Sequence, residues 1–281
     1  MGCLRLHRVP FVSRRRLSGV LWAVIVLAVT AGCTKPAPRR VAAPPTKIRV
    51  AAATDLRSCL DALTDAFQVE HPTFDLLPTF GASGSLLTQL KNGLETDLYL
   101  SADVAYAHDL AAAGMAAEAD VFACGQGRLV LWVRNESPLD VAKLGTAALL
   151  DPAVRRVAIA NPVHAPYGRA AVAFLEHIGL HDQLKGKLAV GESAAQAAQY
   201  VESGAAEVGV LPMALAKGTR LTERGRFWAV PAEAPPPILH GGVIHARAID
   251  REATVAFRDF LLSPAGRAIL ARYGFEFPAG P

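Results

Sequence analysis

The segment "KIRVAAATDL", residues 47–56, begins the pattern that decides the predicted fold. Its first seven residues are rich in β-formers and apolar side chains and predict a buried strand, after which apolar residues recur at helical spacing through residues 56–70. The same order, a strand followed by a helix, recurs in five later segments: "FDLLPTF", "DLYLSAD", "RRVAIANP", "KLAVGES" and "AEVGVLP". Alternating strands and helices predict an α/β fold with parallel-rich sheets flanked by helices.

Two extended segments interrupt this alternation: "RLVLWVR" at residues 128–134 and "ILHGGVIHA" at residues 238–246. Neither has an immediate helix of its own, and we interpret them as a two-strand hinge that crosses between two lobes. Residues 47–128 and 245–281 are then predicted to form lobe 1, and residues 129–244 to form lobe 2. Ligands of open parallel sheets bind where strands end and helices begin, so the cleft between the lobes is the expected functional region.

The amino terminus has the features of an export signal. The arginines at residues 14–16 precede an uncharged apolar run, residues 20–29, which is well short of the roughly 20 residues that a membrane-spanning helix needs. Small residues then precede Cys33, as in the cleavage box of bacterial lipoproteins, although a larger aliphatic residue usually stands in place of Thr30. We expect residues 1–32 to be a lipoprotein-type signal peptide and Cys33 to be lipidated, with plain secretion as the alternative.

The charge of the chain divides near the same boundary. Residues 33–46 are rich in proline and alanine and predict an extended tether. The first 46 residues hold eight of the 29 Lys and Arg residues and no Asp or Glu, so the remainder carries 21 basic against 25 acidic residues, a net charge of −4. The basic character of the whole chain therefore belongs to the export signal, and nucleic acid is not an expected partner.

Two cysteines, Cys59 and Cys124, remain in the predicted mature domain. In an exported protein such residues are able to form a disulfide. Cys59 falls on the apolar face of the first predicted helix, which favours a buried free thiol. Whether it pairs with Cys124 stays open from the sequence.

Four strand-to-helix turns share one chemistry: "ATDL" at residues 53–56, "GASGS" at 81–85, "NPVHAPYG" at 161–168 and "GESAAQ" at 191–196. Each places small or hydroxyl residues at a helix start, where backbone N–H groups have no partner inside the helix. With the positive end of the helix dipole, such groups form an anion site. For any single turn, simple N-capping explains the composition equally well, so the prediction depends on several turns converging on one cleft.

The strings "VAAATDL", "FGASGSL", "GLETDLYLSAD", "RLVLWV", "AIANPVHAPYG" and "RYGFEFP" occur in this order over residues 47–277. Together they resemble the periplasmic molybdate-binding proteins of ABC importers, a type II solute-binding protein family. The resemblance implies a two-lobed fold, a molybdate or tungstate ligand held by neutral hydroxyl and N–H donors without a cofactor or a direct metal ligand, and delivery to a membrane permease. It also implies a non-enzymatic protein outside the cytoplasm, here expected to be a lipid-anchored monomer.

Position by position, the resemblance assigns ligand binding to Thr54, Asp55 and Ser83 in lobe 1 and to Tyr167 and Ala194 in lobe 2. Tyr167 would bind through its N–H and its hydroxyl, and Ala194 through its N–H.

Two positions depart from the family pattern. Asp55 stands where many members have serine or asparagine; its carboxylate is expected either to cap its own helix or to be protonated and donate. Pro212 stands where some relatives have a tyrosine that reaches the anion, and Tyr167 is the candidate replacement for that hydroxyl.

Two other functions remain open at this point. The same fold could bind sulfate, a phosphonate or a small carboxylate. A secreted hydrolase using Ser83 is disfavoured because "GASGS" lacks the Gly-x-Ser-x-Gly spacing of a nucleophile elbow. The chain also lacks a Gly-x-x-x-x-Gly-Lys-Ser/Thr loop, so an importer would take its energy from a separate ATPase.

One arginine and two pairs of histidines near the predicted turns and strands do not require a role in ligand or metal binding. Arg169 is expected to be a solvated charge on a helix surface. The histidine pairs His177 with His181 and His240 with His245 are expected to be packed or solvent-facing rather than metal ligands.

Overall fold

The computed structural model describes residues 45–232 and 237–277. The predicted signal peptide, Cys33 and most of the predicted tether lie outside the described residues. The first strand begins at Thr46, the last residue of the predicted tether. None of the helices in this part of the chain is long and apolar enough to cross a lipid bilayer.

The strands, numbered along the chain, are β1 (Thr46–Ala53), β2 (Phe74–Gly81), β3 (Leu98–Ser101), β4 (Ala116–Gly127), β5 (Leu129–Arg134), β6 (Val157–Ala160), β7 (Leu188–Gly191), β8 (Val208–Pro212), β9 (Gly225–Ala229) and β10 (Ile238–His245). The α-helices are α1 (Arg57–Glu70), α2 (Ser83–Lys91), α3 (Ala105–Ala112), α4 (Val141–Leu144), α5 (Pro166–His177), α6 (His181–Leu184), α7 (Ala194–Glu202), α8 (Met213–Ala216), α9 (Thr219–Arg224), α10 (Arg251–Leu262) and α11 (Pro264–Arg272). Short 3₁₀ turns occupy Thr54–Leu56, Gly145–Leu150 and Lys185–Lys187.

The strands form two five-stranded sheets, with orders β2-β1-β3-β10-β4 and β7-β6-β8-β5-β9. In each sheet the first three strands are parallel, and the last two pair antiparallel with their neighbours. The predicted α/β fold with two lobes and parallel-rich sheets is therefore confirmed. Because the carboxyl ends of parallel strands meet at one edge, the turns after β1, β2, β6 and β7 are placed to face a common cleft.

The crossings between the lobes differ from the prediction. β5 and β10 each belong to one sheet only, so neither strand spans the two lobes. The chain passes into lobe 2 at Gly127 and Arg128, between the end of β4 and the start of β5, and it returns between β9 and β10. Lobe 1 resumes at Ile238 rather than at residue 245, because β10 pairs along its length between β3 and β4.

The first helix shows how the carboxyl-terminal segment completes lobe 1. Its predicted apolar face is buried, and Phe67 packs edge-on against Phe257 of α10 at 5.2 Å between ring centroids. Each such buried apolar side chain contributes about 1.5–3 kcal/mol to folding. Cys59 lies on the same face, and both Cys59 and Cys124 are buried free thiols in the structure.

Candidate functional site

The four strand-to-helix turns singled out in the sequence meet at one cavity between the two lobes. It encloses about 200 Å3 of empty space, including its open mouth. Its lining includes all five predicted ligand-binding residues, together with small neighbours from the same turns and Ala102, which follows β3: Ala53, Thr54, Asp55, Gly81, Ala82, Ser83, Ala102, Ala165, Pro166, Tyr167 and Ala194. The structure thus brings the five together, which sequence spacing alone could not establish.

Lobe 1 contributes two turns to this cavity. β1 ends at Ala53, and the chain enters a 3₁₀ turn in which Thr54 and Asp55 are both buried. Ser83 is the first residue of α2, and its Oγ accepts the N–H of Ala102 at 3.1 Å. Because the oxygen serves as acceptor there, the hydroxyl hydrogen remains available for a ligand.

Lobe 2 contributes the starts of α5 and α7. Pro166 is the first residue of α5 and has no N–H, so Tyr167 supplies the first backbone donor of that helix. Ala194 is the first residue of α7, whose N-cap Ser193 accepts the N–H of Gln196 at 3.3 Å. The cap satisfies a later donor and leaves the Ala194 N–H unused.

The donors at these helix starts are neutral and unpaired. The N–H groups of Asp55, Ser83, Tyr167 and Ala194 lie in first turns, where the helix offers no acceptor, and no turn or cap hydrogen bond within the described residues uses them. No lysine or arginine is among the residues that line the cavity in the part of the chain that the structure describes. The arrangement suits a small anion that is bound by dipoles rather than by opposite charge.

Asp55 does not cap its helix, which corrects one of the two expectations for this residue. No side-chain cap bond occurs at the Thr54–Leu56 turn, and the Asp55 Oδ2 lies 2.6 Å from Nε2 of His240 on β10. The His240 ring is fully buried, so its polar atoms require protein partners, and Asp55 is the carboxyl placed to supply one. His240 was expected to be packed or solvent-facing, and its pairing with Asp55 was not predicted.

The Tyr167 hydroxyl is buried and has no hydrogen-bond partner among the described residues. It packs against the backbone of Gly127, where a Cβ would overlap it and would lie 2.7 Å from Cε1 of His240. Burial, followed by the nearby Asp55 charge, raises the pKa of Tyr167 well above its ordinary value. The hydroxyl therefore keeps its proton and remains a donor that lacks an acceptor.

Two contacts join the lobes at the rim of the cavity. The N–H of Gly84 donates to the carbonyl oxygen of His164 at 2.9 Å. Arg169 of α5 donates to Asp103 Oδ2 at 2.6 Å and to the Tyr106 hydroxyl at 2.7 Å, both in lobe 1. Arg169 is 42% exposed, in line with the expected solvated charge, but its pairing with Asp103 across the cleft was not predicted.

The geometry gives little support to the chemistries that the sequence left as alternatives. The Ser83 Oγ accepts the N–H of Ala102, and the Ser83 carbonyl oxygen accepts the Tyr99 hydroxyl. Neither partner is the base that a serine nucleophile needs. No group of three or more histidine, cysteine or acidic residues is placed to hold a metal ion within the described residues. Pro212, at the end of β8, is not among the residues that line the cavity.

Comparison with known proteins gives one family match and several relatives. Residues 48–276 match the family described as bacterial extracellular solute-binding protein. The molybdate-binding protein ModA of Azotobacter vinelandii is 32% identical over 235 residues, covering 83% of this chain and 91% of that protein. ModA of Rhodobacter capsulatus is 32% identical over 196 residues, covering 70% of this chain and 75% of its own length.

A solved structure gives the same relationship in three dimensions. The periplasmic molybdate-binding protein of Azotobacter vinelandii has a TM-score of 0.76 and 28% sequence identity, with 83% of this chain and 100% of that chain covered. The family match spans both lobes and all four turns around the cavity. The chain therefore belongs to the bacterial extracellular solute-binding proteins, as a relative of the ModA molybdate-binding proteins.

Proposed function

We propose that the protein is the substrate-binding component of an ABC importer and that it holds molybdate or tungstate in the cavity between its lobes. The donors are the Thr54, Ser83 and Tyr167 hydroxyls and the backbone N–H groups of Asp55, Ser83, Tyr167 and Ala194. The observation that carries the proposal is the convergence of these unpaired neutral donors, from both lobes, on one cavity. The ligand named for the ModA relatives supports the choice of anion.

Neutral donors are sufficient to hold a dianion. A hydrogen bond to a charged acceptor contributes about 1.5–3 kcal/mol net, and several of them act together here. After the costs of ordering and of closing the lobes, such a set is compatible with submicromolar affinity. Each of these protein groups is a hydrogen-bond donor. A protonated anion such as hydrogen phosphate would place its own O–H donor against one of them, which disfavours its binding.

The position of the cavity explains how binding is linked to delivery. An anion that contacts all four helix starts stabilises the closed arrangement of the lobes, and that arrangement presents both lobes to a membrane permease as one surface. The protein lies outside the cytoplasm, as its family does. We propose in addition that Cys33, outside the described residues, carries a lipid anchor and that the protein acts as a monomer without enzymatic activity.

Titration calorimetry of the purified protein with molybdate, tungstate, sulfate and phosphate tests the assignment. We expect tight binding of the first two anions and weak binding of the others, because the rigid turns set the size of the cavity. Comparable weak binding of all four would remove the molybdate assignment, and a clear preference for sulfate would identify a receptor of the same fold for another anion.

Variants that lack one hydroxyl test the site itself. Thr54→Val and Ser83→Ala each remove one donor and should weaken molybdate binding about tenfold or more. Ser203→Ala removes an exposed hydroxyl at the end of α7, where it bonds only the Tyr200 carbonyl, and serves as the matched control. Equal affinities for all four proteins would place the anion elsewhere.

A further inference from the structure

The carboxyl group of Asp55 presents an electrostatic problem for the proposed function. Asp55 is a wall residue of the cavity, and its side chain is only 3% exposed. A lone buried carboxylate beside a bound dianion would repel it strongly, since few water molecules would screen the two charges. Some feature of the protein has to remove that repulsion if the anion is to bind here.

The contacts of His240 define where its protons lie. The Nδ1 of its buried ring is 3.2 Å from the carbonyl oxygen of Ile238, and a carbonyl oxygen can only accept. We therefore assign a hydrogen to Nδ1. The opposite atom, Nε2, is 2.6 Å from Asp55 Oδ2, so one further proton is shared between the imidazole and the carboxyl.

The position of that shared proton does not change the net charge. With the proton on Nε2 the pair is an imidazolium and a carboxylate, and with the proton on Oδ2 it is a neutral imidazole and a carboxylic acid. Both forms sum to zero. The backbone contact at Ile238 thus fixes the pair as electrically neutral, whichever form is present.

The other ionisable groups that face the pair are neutral at ordinary pH. Burial, followed by the Asp55 charge, raises the pKa of the Cys59 thiol on α1, and the same causes raise the pKa of Cys124 on β4 to about 12. The pKa of Tyr167 on α5 is raised for the same reasons. Helices α7 and α8 both pack on the Thr54–Leu56 turn. Helix α8 contains no ionisable residue, and those of α7 are Tyr200 and Glu202 in its last turn, where Glu202 pairs with Arg220. The remaining ring against His240 is Phe275.

We propose that His240 is a positioning residue of the anion site, which neutralises Asp55 through one shared proton and holds the Thr54–Asp55 turn in its binding geometry. The inference rests on the proposed function and names the group that makes a carboxyl compatible with a dianion in this chain. Asp55 then contributes its N–H to the ligand while its side chain stays engaged with His240. The pair replaces the neutral side chain that other members have at the position of Asp55.

The decisive variant is His240→Gln, which keeps a polar side chain but cannot hold a second proton for Asp55. In this variant the carboxyl is charged alone, and a dianion binds only if a proton enters with it. We expect molybdate affinity at pH 8 to fall about a hundredfold, as like charges at a desolvated site require, and to recover as the pH is lowered. Calorimetry in buffers with different ionisation enthalpies should show uptake of about one proton per anion in this variant and none in the native protein.

Two further variants separate charge from packing. The double variant Asp55→Asn with His240→Gln removes the charge together with its partner and should recover most of the affinity without proton uptake. His245→Gln replaces a second buried histidine of β10, whose Nδ1 accepts the N–H of Arg247 rather than facing Asp55, and should bind molybdate as the native protein does. Thermal melts of all variants establish that each one is folded.

The outcomes distinguish this inference from the proposed function. If the native protein binds none of the oxyanions, the proposed function fails. If the native protein binds molybdate but His240→Gln binds it equally well at pH 8 without proton uptake, only the present inference is overturned. A loss of affinity that is independent of pH and is not recovered in the double variant would also overturn it, because it would indicate a purely structural role for His240.

Discussion

The N–H of Gly84 in lobe 1 donates to the carbonyl oxygen of His164 in lobe 2, with 2.9 Å between nitrogen and oxygen. This bond joins the first turn of α2 to the loop that precedes α5, beside the cavity. A Cβ on Gly84 would lie 3.0 Å from that oxygen and 3.1 Å from the Tyr106 hydroxyl. The two lobes therefore approach closely here because residue 84 has no side chain.

Gly84→Ala should weaken the closed arrangement without unfolding either lobe. We expect molybdate affinity to fall about tenfold, because the added methyl group crowds a contact that exists only when the lobes are together. Gly186→Ala is the matched control, since a Cβ there meets no atom within 4 Å. Calorimetry and thermal melts check both variants, and an unchanged affinity in Gly84→Ala would show that this contact does not limit closure.

Arg169→Gln should have a smaller and salt-dependent effect. Its partner Asp103 lies across the cleft, and the Arg169 side chain is 42% exposed, so solvent screens the pair. The contribution of such a pair is about 0.5–1 kcal/mol, which corresponds to a loss of affinity of about two- to fivefold at low salt and less at high salt.

A double-mutant cycle of Arg169→Gln with Asp103→Asn isolates that interaction. The Lys185→Gln variant removes a surface pair within lobe 2 and provides the comparison. Additive effects of the two cleft variants on affinity would contradict a direct interaction across the lobes.

Tyr167→Phe should separate stability from binding. The hydroxyl has no partner among the described residues, so its removal should leave the free energy of unfolding unchanged within about 0.5 kcal/mol or raise it. An anion in the cavity offers that donor an acceptor, and we expect about tenfold weaker molybdate binding in the variant. Urea denaturation and calorimetry measure the two effects. Lower stability with unchanged affinity would contradict both parts.

Asp97→Asn should make the free energy of unfolding depend less steeply on pH in the acidic range. Burial alone would raise the pKa of Asp97, but hydrogen bonds from the Arg49 side chain and from the N–H groups of Ile249 and Arg49 outweigh it, and the pKa is lowered from 3.8. A lowered folded pKa means that the contribution to stability is present above about pH 4 and is lost as the pH falls through the folded value.

The Asp97 side chain is only 1% exposed, so breaking its pairing with Arg49 should cost about 2–4 kcal/mol at pH 7. Urea denaturation between pH 3 and pH 7 measures both the loss and the change of slope. Asp182→Asn, at an exposed pair in lobe 2, is the control. An equally steep loss of stability at acidic pH in Asp97→Asn would assign that loss to other groups.

The turns around the cavity could be predicted because their signals are local. Thr54 and Ser83 follow two parallel strands of one sheet, and Tyr167 and Ala194 follow two parallel strands of the other, so small residues at those helix starts indicate one ligand-binding edge on each lobe. Strands β4 and β9 were not predicted. β4 mixes small, acidic and apolar residues over its twelve positions without a clear alternation, and its place beside β10 depends on pairing with a strand more than 100 residues away.

The side-chain pairs could not be predicted, because nothing local indicates them. His240 follows Asp55 by 185 residues, and Arg169 follows Asp103 by 66, so each pair exists only through the packing of separate elements. A histidine within an apolar strand predicts burial and some partner, but the sequence does not say which. The return of the chain to lobe 1 was misplaced for the same reason, since the sheet to which β10 belongs is decided by β3 and β4.

Gly127 stands where the chain passes from one lobe to the other, and it also touches the Tyr167 hydroxyl and lies beside the His240 ring. The residue at which the chain crosses between the lobes is therefore in contact with a residue of the cavity wall. Spreading the lobes would separate Tyr167 of lobe 2 from His240 of lobe 1, so the contacts of the anion with the two lobes should be lost in one step. A transporter that separates the lobes would therefore release the bound anion by the same motion.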